Sequence, residues 1–206
     1  MATLAWKYWC AVLGGTAVVV LYTVFTFVSL SLFPTPYTAA VNWLSDLGNY
    51  VYSPNGAIFY NLGCIFTGAA LVIFFMGVSI WNLEERRIKA VFLVIQALGI
   101  ADGVSLVFIG IFSENAPPYH MIWSSIFFFI NMVIQVLASI ALLVHPKFFK
   151  WIAVYGFVTS GINIFFVVTL GDSPAIEWTT VFTALAFAGL IVLNTVDKFK
   201  KEASTA

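Results

Sequence analysis

Charge is scarce in this sequence. Asp, Glu, Lys and Arg make up 9% of its 206 residues, against about 25% in an ordinary soluble domain. So little charge cannot solvate a globule, and with 62% apolar and 17% aromatic residues a water-exposed surface would carry large adhesive patches. A soluble enzyme, a disordered tail and a nucleic-acid binder are excluded together. Histidine and cysteine are rare as well, with two of each. Also missing are the H-E-x-x-H, G-x-S-x-G, P-loop and Gly-rich dinucleotide motifs. Proline is absent from the interior of every long apolar run.

Those runs are what the sequence does have. A bilayer core about 30 Å thick needs roughly 20 apolar residues per helical crossing. Six stretches qualify: Trp9 to Leu32, Ala57 to Trp81, Ile88 to Phe112, Met121 to Val144, Trp151 to Leu170 and Thr179 to Val196. None alternates as barrel strands do, so the expected fold is an all-helical bundle of six transmembrane helices in a single domain, residues 1–206. Lys7, Arg86, Arg87, Lys89, Lys147, Lys150, Lys198, Lys200 and Lys201 all fall at one set of ends. The loops holding Asp46, Glu114, Asp172 and Glu177 contain no Lys or Arg. The positive-inside rule then places both termini in the cytoplasm of a multi-pass protein of the cell membrane. The first run is too long for a secretory h-region and reads as a retained helix.

This sidedness limits the chemistry. His120 and His145 lie on opposite faces, so neither a zinc site nor a bis-histidine haem can be assembled, and no metal or cofactor is expected. Cys10 and Cys64 lie at different depths and read as free thiols.

One loop is long enough to hold structure. From Pro36 to Gly48 the pattern is helical, with Tyr37, Val41, Leu44 and Leu47 on one stripe and Asn42, Ser45, Asp46 and Asn49 on the other. It reads either as an interfacial helix anchored by Trp43 or as a lid over the mouth of the bundle.

Polar residues inside the spans are the functional candidates. Asp102 lies ten residues before Phe112, near the midplane, where a carboxylate costs on the order of 2.5 to 3.5 kcal/mol. With no Lys or Arg to neutralise it, Asp102 is expected to be protonated, or to hold a cation or a mobile proton. The alternative is a neutral carboxyl bonded to a neighbouring helix for packing. On the fourth run His120, Ser124, Asn131 and Gln135 share one face, and Asn131 is level with Asp102. Ser105, Asn61 and Asn163 complete an expected intramembrane polar cluster. At the outer mouth Asp46, His120 and Glu114 are the candidate catalytic residues for acid-base work on a lipid head group.

The run LSDLGNYVYSPNGAIFYNLGCIFTGAAL, Leu44 to Leu71, resembles the opening motif of the domain-of-unknown-function 998 membrane family: a Ser-x-Leu-Gly turn, an irregular loop, then a helix with an early Asn. The run GIFSENAPPYHMIWSSIFFF, Gly110 to Phe129, is similar to its second motif, although Ser113 stands where the family usually has Pro. The resemblance implies Ser45, Asp46, Asn61, Glu114 and His120 as characteristic outer-face positions. It also implies a distant likeness to DRAM-type and GPI-remodelling six-span proteins of lipid handling.

Three functions follow as expectations. The leading one is a lipid-interacting or accessory membrane protein with an outward-facing polar pocket, its partners being membrane lipids and either another membrane protein or a second copy of itself. The others are an intramembrane hydrolase or transferase acting on lipid head groups, and a proton-coupled transporter using Asp102.

Overall fold

The computed structural model describes residues 2–83 and 85–204. Six helices are long and apolar enough to cross a bilayer: α1 (Ala2–Ser31), α2 (Ala57–Val78), α3 (Arg86–Ile111), α4 (Pro117–Val144), α5 (Lys150–Leu170) and α6 (Pro174–Ser204). No strand occurs among the described residues. The chain is therefore an integral, multi-pass membrane protein of all-α class. Without water to satisfy backbone groups, these apolar runs close their hydrogen bonds within each helix, and unbroken helices result. Short connections force consecutive helices from α2 to α6 into antiparallel pairs, α1 and α2 are joined by one long loop, and α6 packs on α1 to close the ring.

Helix α2 is the most enclosed, with 61% of its most apolar window buried against 28% for α5. Small residues explain the close contacts. A Cβ at Gly68 would lie 2.5 Å from the Gly103 carbonyl oxygen, and one at Gly103 would lie 2.7 Å from that of Gly68, so α2 and α3 touch backbone to backbone. A Cβ at Gly77 would meet the Ala11 backbone nitrogen at 2.1 Å, which sets α1 against α2 in the same way. In a bilayer, where lipid tails compete equally for apolar surface, such close approach is a main source of helix association.

The end of the bundle that carries the Lys and Arg residues is sealed by Trp81. Its ring is fully buried, its Nε1 donates to Thr195 Oγ1 at 3.0 Å, and His145, Phe148 and Phe199 pack edge-on around it. The other end is sealed by the long first loop. The helix expected over Pro36 to Gly48 shrinks to a 3-10 helix, Leu44–Gly48, preceded by a turn in which Thr38 N–H donates to Asn42 Oδ1. The Asn42 side chain competes for the backbone there, and Trp43 is extended. Tyr37 Oη then donates to the Trp43 carbonyl at 2.6 Å and fixes the bend. Leu44 and Leu47, both fully buried, plug the bundle mouth, whereas Val41 is 73% exposed. The loop is thus a lid whose apolar side faces inward.

Candidate functional site: the chamber beneath the lid

Four neighbouring elements hold the lid, each by a buried or half-buried polar group. Glu177, in the first turn of α6, accepts the Leu44 N–H at 2.6 Å and is also hydrogen-bonded by the Ser45 backbone. Asn61 at the start of α2 donates Nδ2–H to the Gly48 carbonyl at 3.0 Å, and Ser29 of α1 donates to that of Leu47 at 3.1 Å. In the α3–α4 turn, Glu114 accepts from Asn49 Nδ2 at 3.1 Å, and Asn115 Nδ2 donates to Asn49 Oδ1 at 3.0 Å. Asp46 is spent inside the lid, its Oδ2 accepting the Trp43 N–H at 2.9 Å. Together these contacts satisfy backbone groups that an irregular segment at the bundle mouth would otherwise leave orphaned.

Burial pushes the Asp46 carboxyl above its ordinary range, opposed by its bonds from Trp43 and Asn42. Burial likewise raises Glu114; the Asn49 bond opposes the rise and the charge of Asp46 adds to it. Tyr37 is held well above the ordinary phenol range, first by burial. Among the described residues no Lys or Arg lies at this end to reverse these shifts.

Under the lid is a small chamber of about 20 Å³, lined on its apolar side by Leu106, Ile109, Phe127, Phe128 and Val181 and large enough for a single water, for which roughly 10 to 15 Å³ suffices. Its polar lining comes from Tyr22 of α1, Ser45 of the lid, Tyr60 of α2, His120 and Ser124 of α4, and Glu177 of α6. The Tyr22 and Tyr60 hydroxyls are 3.1 Å apart. His120 is buried, and its Nδ1 is 3.0 Å from the Phe112 carbonyl oxygen. A carbonyl only accepts, so Nδ1 carries the proton and Nε2 is the acceptor of the neutral ring.

Below the chamber runs a larger, almost wholly apolar cavity of about 80 Å³. It reaches from Tyr22 and Phe127 down to Trp81, with Thr67, Asn131, Gln135 and Thr180 as its few polar lining residues besides Tyr22. Tyr22, Leu106, Phe127, Phe128 and Val181 line both spaces, which makes them neighbours sharing one wall.

The sequence candidates distribute unevenly over this geometry. Of the mouth residues, His120 lines the chamber, while Asp46 and Glu114 are occupied in the lid and its anchor. Asp102 is fully buried and receives Asn131 Nδ2–H on Oδ2 at 3.3 Å, while its Oδ1 has no partner among the described residues. The other members of the expected intramembrane cluster are spread out. Ser105 bonds back to Ala101, Gln135 Nε2 donates to Thr159 at 2.9 Å, Asn163 Nδ2 donates to Thr183 at 3.3 Å, Asn61 serves the lid and Ser124 lines the chamber. Gln135 and Asn163 bond a neighbouring helix and Ser105 its own, because an unpaired polar group in hydrocarbon is costly and these side chains lie at different depths.

Sequence reasoning passed over Glu177, Tyr22 and Tyr60. Glu177 carried a signal, being the acid in the first turn of an apolar helix, whereas the two tyrosines are indistinguishable from core aromatics until the helices are assembled. No family model, curated protein or solved structure matches the chain.

Proposed function

We propose that this is a lipid-interacting membrane protein that takes a small part of a membrane amphiphile into its bundle, without turning it over. The observation carrying this reading is that a chamber with several polar groups in its lining lies directly against an apolar cavity, with Tyr22, Leu106, Phe127, Phe128 and Val181 bordering both. An amphiphile needs one hydrogen-bonding end and one oily end in sequence, and pockets for such ligands are mainly apolar with a few placed polar groups. The resemblance of Leu44 to Leu71 and Gly110 to Phe129 to the domain-of-unknown-function 998 family, with its distant lipid-handling likenesses, points the same way.

The test is extraction. Protein purified in mild detergent, then extracted with organic solvent, is expected to release a lipid in near-stoichiometric amount. Ala184→Phe, which fills the cavity from α6, is expected to lose that lipid while retaining the fold. Equal lipid content in the two proteins would sink the proposal.

A second reading, an intramembrane hydrolase or transferase, is favoured by the gathering of Ser45, Ser124, His120 and Glu177 around one water-sized chamber. In it His120 Nε2 would take a proton from a hydroxyl or water. Turnover of a lipid that vanishes in His120→Gln would support it. Proton-coupled transport has less in its favour: α3 runs unbroken through Asp102, and Asp102 does not line the cavity.

A further inference from the structure

In the chamber beneath the lid, hydrogen-bond acceptors outnumber donors. Every polar side chain in its lining accepts, and two of them only accept. The Glu177 carboxylate receives the neutral backbone N–H groups of Leu44 and Ser45 and no side-chain cation. His120 is 6% exposed and turns Nδ1–H to the Phe112 carbonyl, so its Nε2 is an acceptor without a partner among the described residues. The side-chain donors are the hydroxyls of Tyr22, Tyr60, Ser45 and Ser124, and one of their four protons is already spent between the tyrosines.

The charge balance leans the same way. Glu177 is half-buried, Asp46 and Glu114 lie in the lid and its anchor, and among the described residues no Lys or Arg lies at this end. Charge withdrawn from water is normally paired, yet this carboxylate faces the chamber with amide partners alone.

Size completes the constraint. About 20 Å³ admits one group as large as a water molecule. A primary ammonium is that large, carries a positive charge, donates three N–H bonds and accepts none. A phosphate or carboxylate would meet Glu177 uncompensated, and a trimethylammonium has no N–H and exceeds the space. A hydroxyl fits but leaves the charge unpaired, and a hard metal cation favours an all-oxygen shell that leaves His120 Nε2 unused. Ser45, Ser124 and Glu177 are each half-buried, so the chamber approaches the surface where the lid, α4 and α6 meet. Only the tip of a head group has to pass there.

Resting on the lipid-interacting reading above, we infer that the part of the amphiphile taken in is a primary ammonium, the tip of an ethanolamine-type head group, bonded to Glu177, His120 Nε2 and a hydroxyl of the Tyr22–Tyr60 pair. The phosphate and the chains stay outside, in the leaflet at the lid end. A serine head group is disfavoured, because its own carboxylate would follow the ammonium toward Glu177.

The experiment uses the full chain in mild detergent and counts lipid adducts by native mass spectrometry. The phospholipids have identical chains and carry ethanolamine, N-methylethanolamine, N,N-dimethylethanolamine, choline or serine; the first four keep the ammonium charge and lose one N–H per step. The ethanolamine lipid is expected to bind at least tenfold more than the choline and serine lipids, with the methylated pair graded between. Glu177→Gln should bring it down to the choline level, and so should His120→Phe, which leaves the Glu177 latch on the lid in place; the head-group series on the parent stands even if a variant does not fold. A second arm compares melting temperatures in equal concentrations of ethylammonium, tetramethylammonium and sodium chloride, and ethylammonium alone is expected to raise the parent's. Equal binding of all five lipids would overturn the ammonium and leave the lipid reading intact. A rise with sodium equal to that with ethylammonium would also overturn it, as the mark of an unselective cation site. No lipid adduct, with a rise in ethylammonium alone, would keep the ammonium site and overturn its lipid source. No adduct and no rise would overturn both.

Discussion

The Glu177 carboxyl at the start of α6 accepts the backbone N–H of Leu44 at 2.6 Å, across 133 residues of chain. One acid thus ties the last helix to the first loop, sits where the α6 dipole favours negative charge, and lines the chamber. Whatever enters beneath the lid must do so beside this contact.

Removing it should loosen the lid without unfolding the bundle. Glu177→Ala leaves a half-buried N–H unpaired, a loss of about 1 to 3 kcal/mol. Hydrogen exchange at Leu44 and Ser45 should quicken by roughly one to two orders of magnitude, at about 1.4 kcal/mol per tenfold, with the α2 amides unchanged. Glu177→Gln keeps an acceptor oxygen and should fall in between. Unchanged exchange in the alanine variant would mean that the latch is not what holds the lid.

Asp102→Asn should fold and melt within a few degrees of the parent, because an amide oxygen can still accept from Asn131 Nδ2. Asp102→Ala should cost about 1 to 3 kcal/mol by stranding Asn131 and leaving a void. A pH-driven proton flux in vesicles that disappears in Asp102→Asn would instead revive the transport reading.

The contact between Gly68 and Gly103 leaves no room for a methyl group. Gly68→Ala must push the α2 and α3 backbones apart, since the nearest atom to the new Cβ is the Gly103 carbonyl oxygen at 2.5 Å. Overpacking of this kind costs about 1 to 3 kcal/mol. The expected result is a clearly lower melting temperature in detergent for Gly68→Ala, and no such drop for Gly161→Ala, where nothing lies within 4 Å.

The two ends should respond to acid with opposite sign. His145 is pushed down to about 4 by burial and by Lys150 and Lys147, so its neutral ring is favoured in the folded state. Between its ordinary value near 6.5 and about 4 the unfolded chain binds the extra proton. Stability at this end is therefore complete above about 6.5 and lost as pH falls toward 4. Asp46 and Glu114 are raised, so the folded lid holds protons more tightly than the open chain, and the lid gains stability as pH falls through their raised range. On acidification from pH 7 to 4, Trp81 fluorescence should report loosening that is blunted in His145→Gln. Over the same range, exchange at Leu44, corrected for its intrinsic pH dependence, should slow.

Much of the fold was legible because a bilayer imposes a one-dimensional rule. Twenty apolar residues must become a helix, cations mark its ends, and short turns make neighbours antiparallel. Asp102 and Asn131 could be set level by counting, since two antiparallel helices share one depth scale. The lid was harder to read. Its helical stripe was visible from Tyr37 to Leu47, but Asn42 and Tyr37 each bond to the backbone nearby, and such local competition shortened the helix to Leu44–Gly48. The chamber was harder still, for Ser45, Tyr22, Tyr60, His120 and Glu177 come from five separate elements and share no spacing.

By itself the sequence determined the solvent, the six crossings, their alternation and which ends carry charge, because apolar run length and charge position act locally along the chain. Only the tertiary structure decided that the first loop plugs the bundle, that Glu177 holds it, and that a polar chamber adjoins an oily cavity. Those features depend on how far each helix is rotated about its axis and how closely it is packed, which is settled between helices by glycine contacts and by the pairing of buried polar groups.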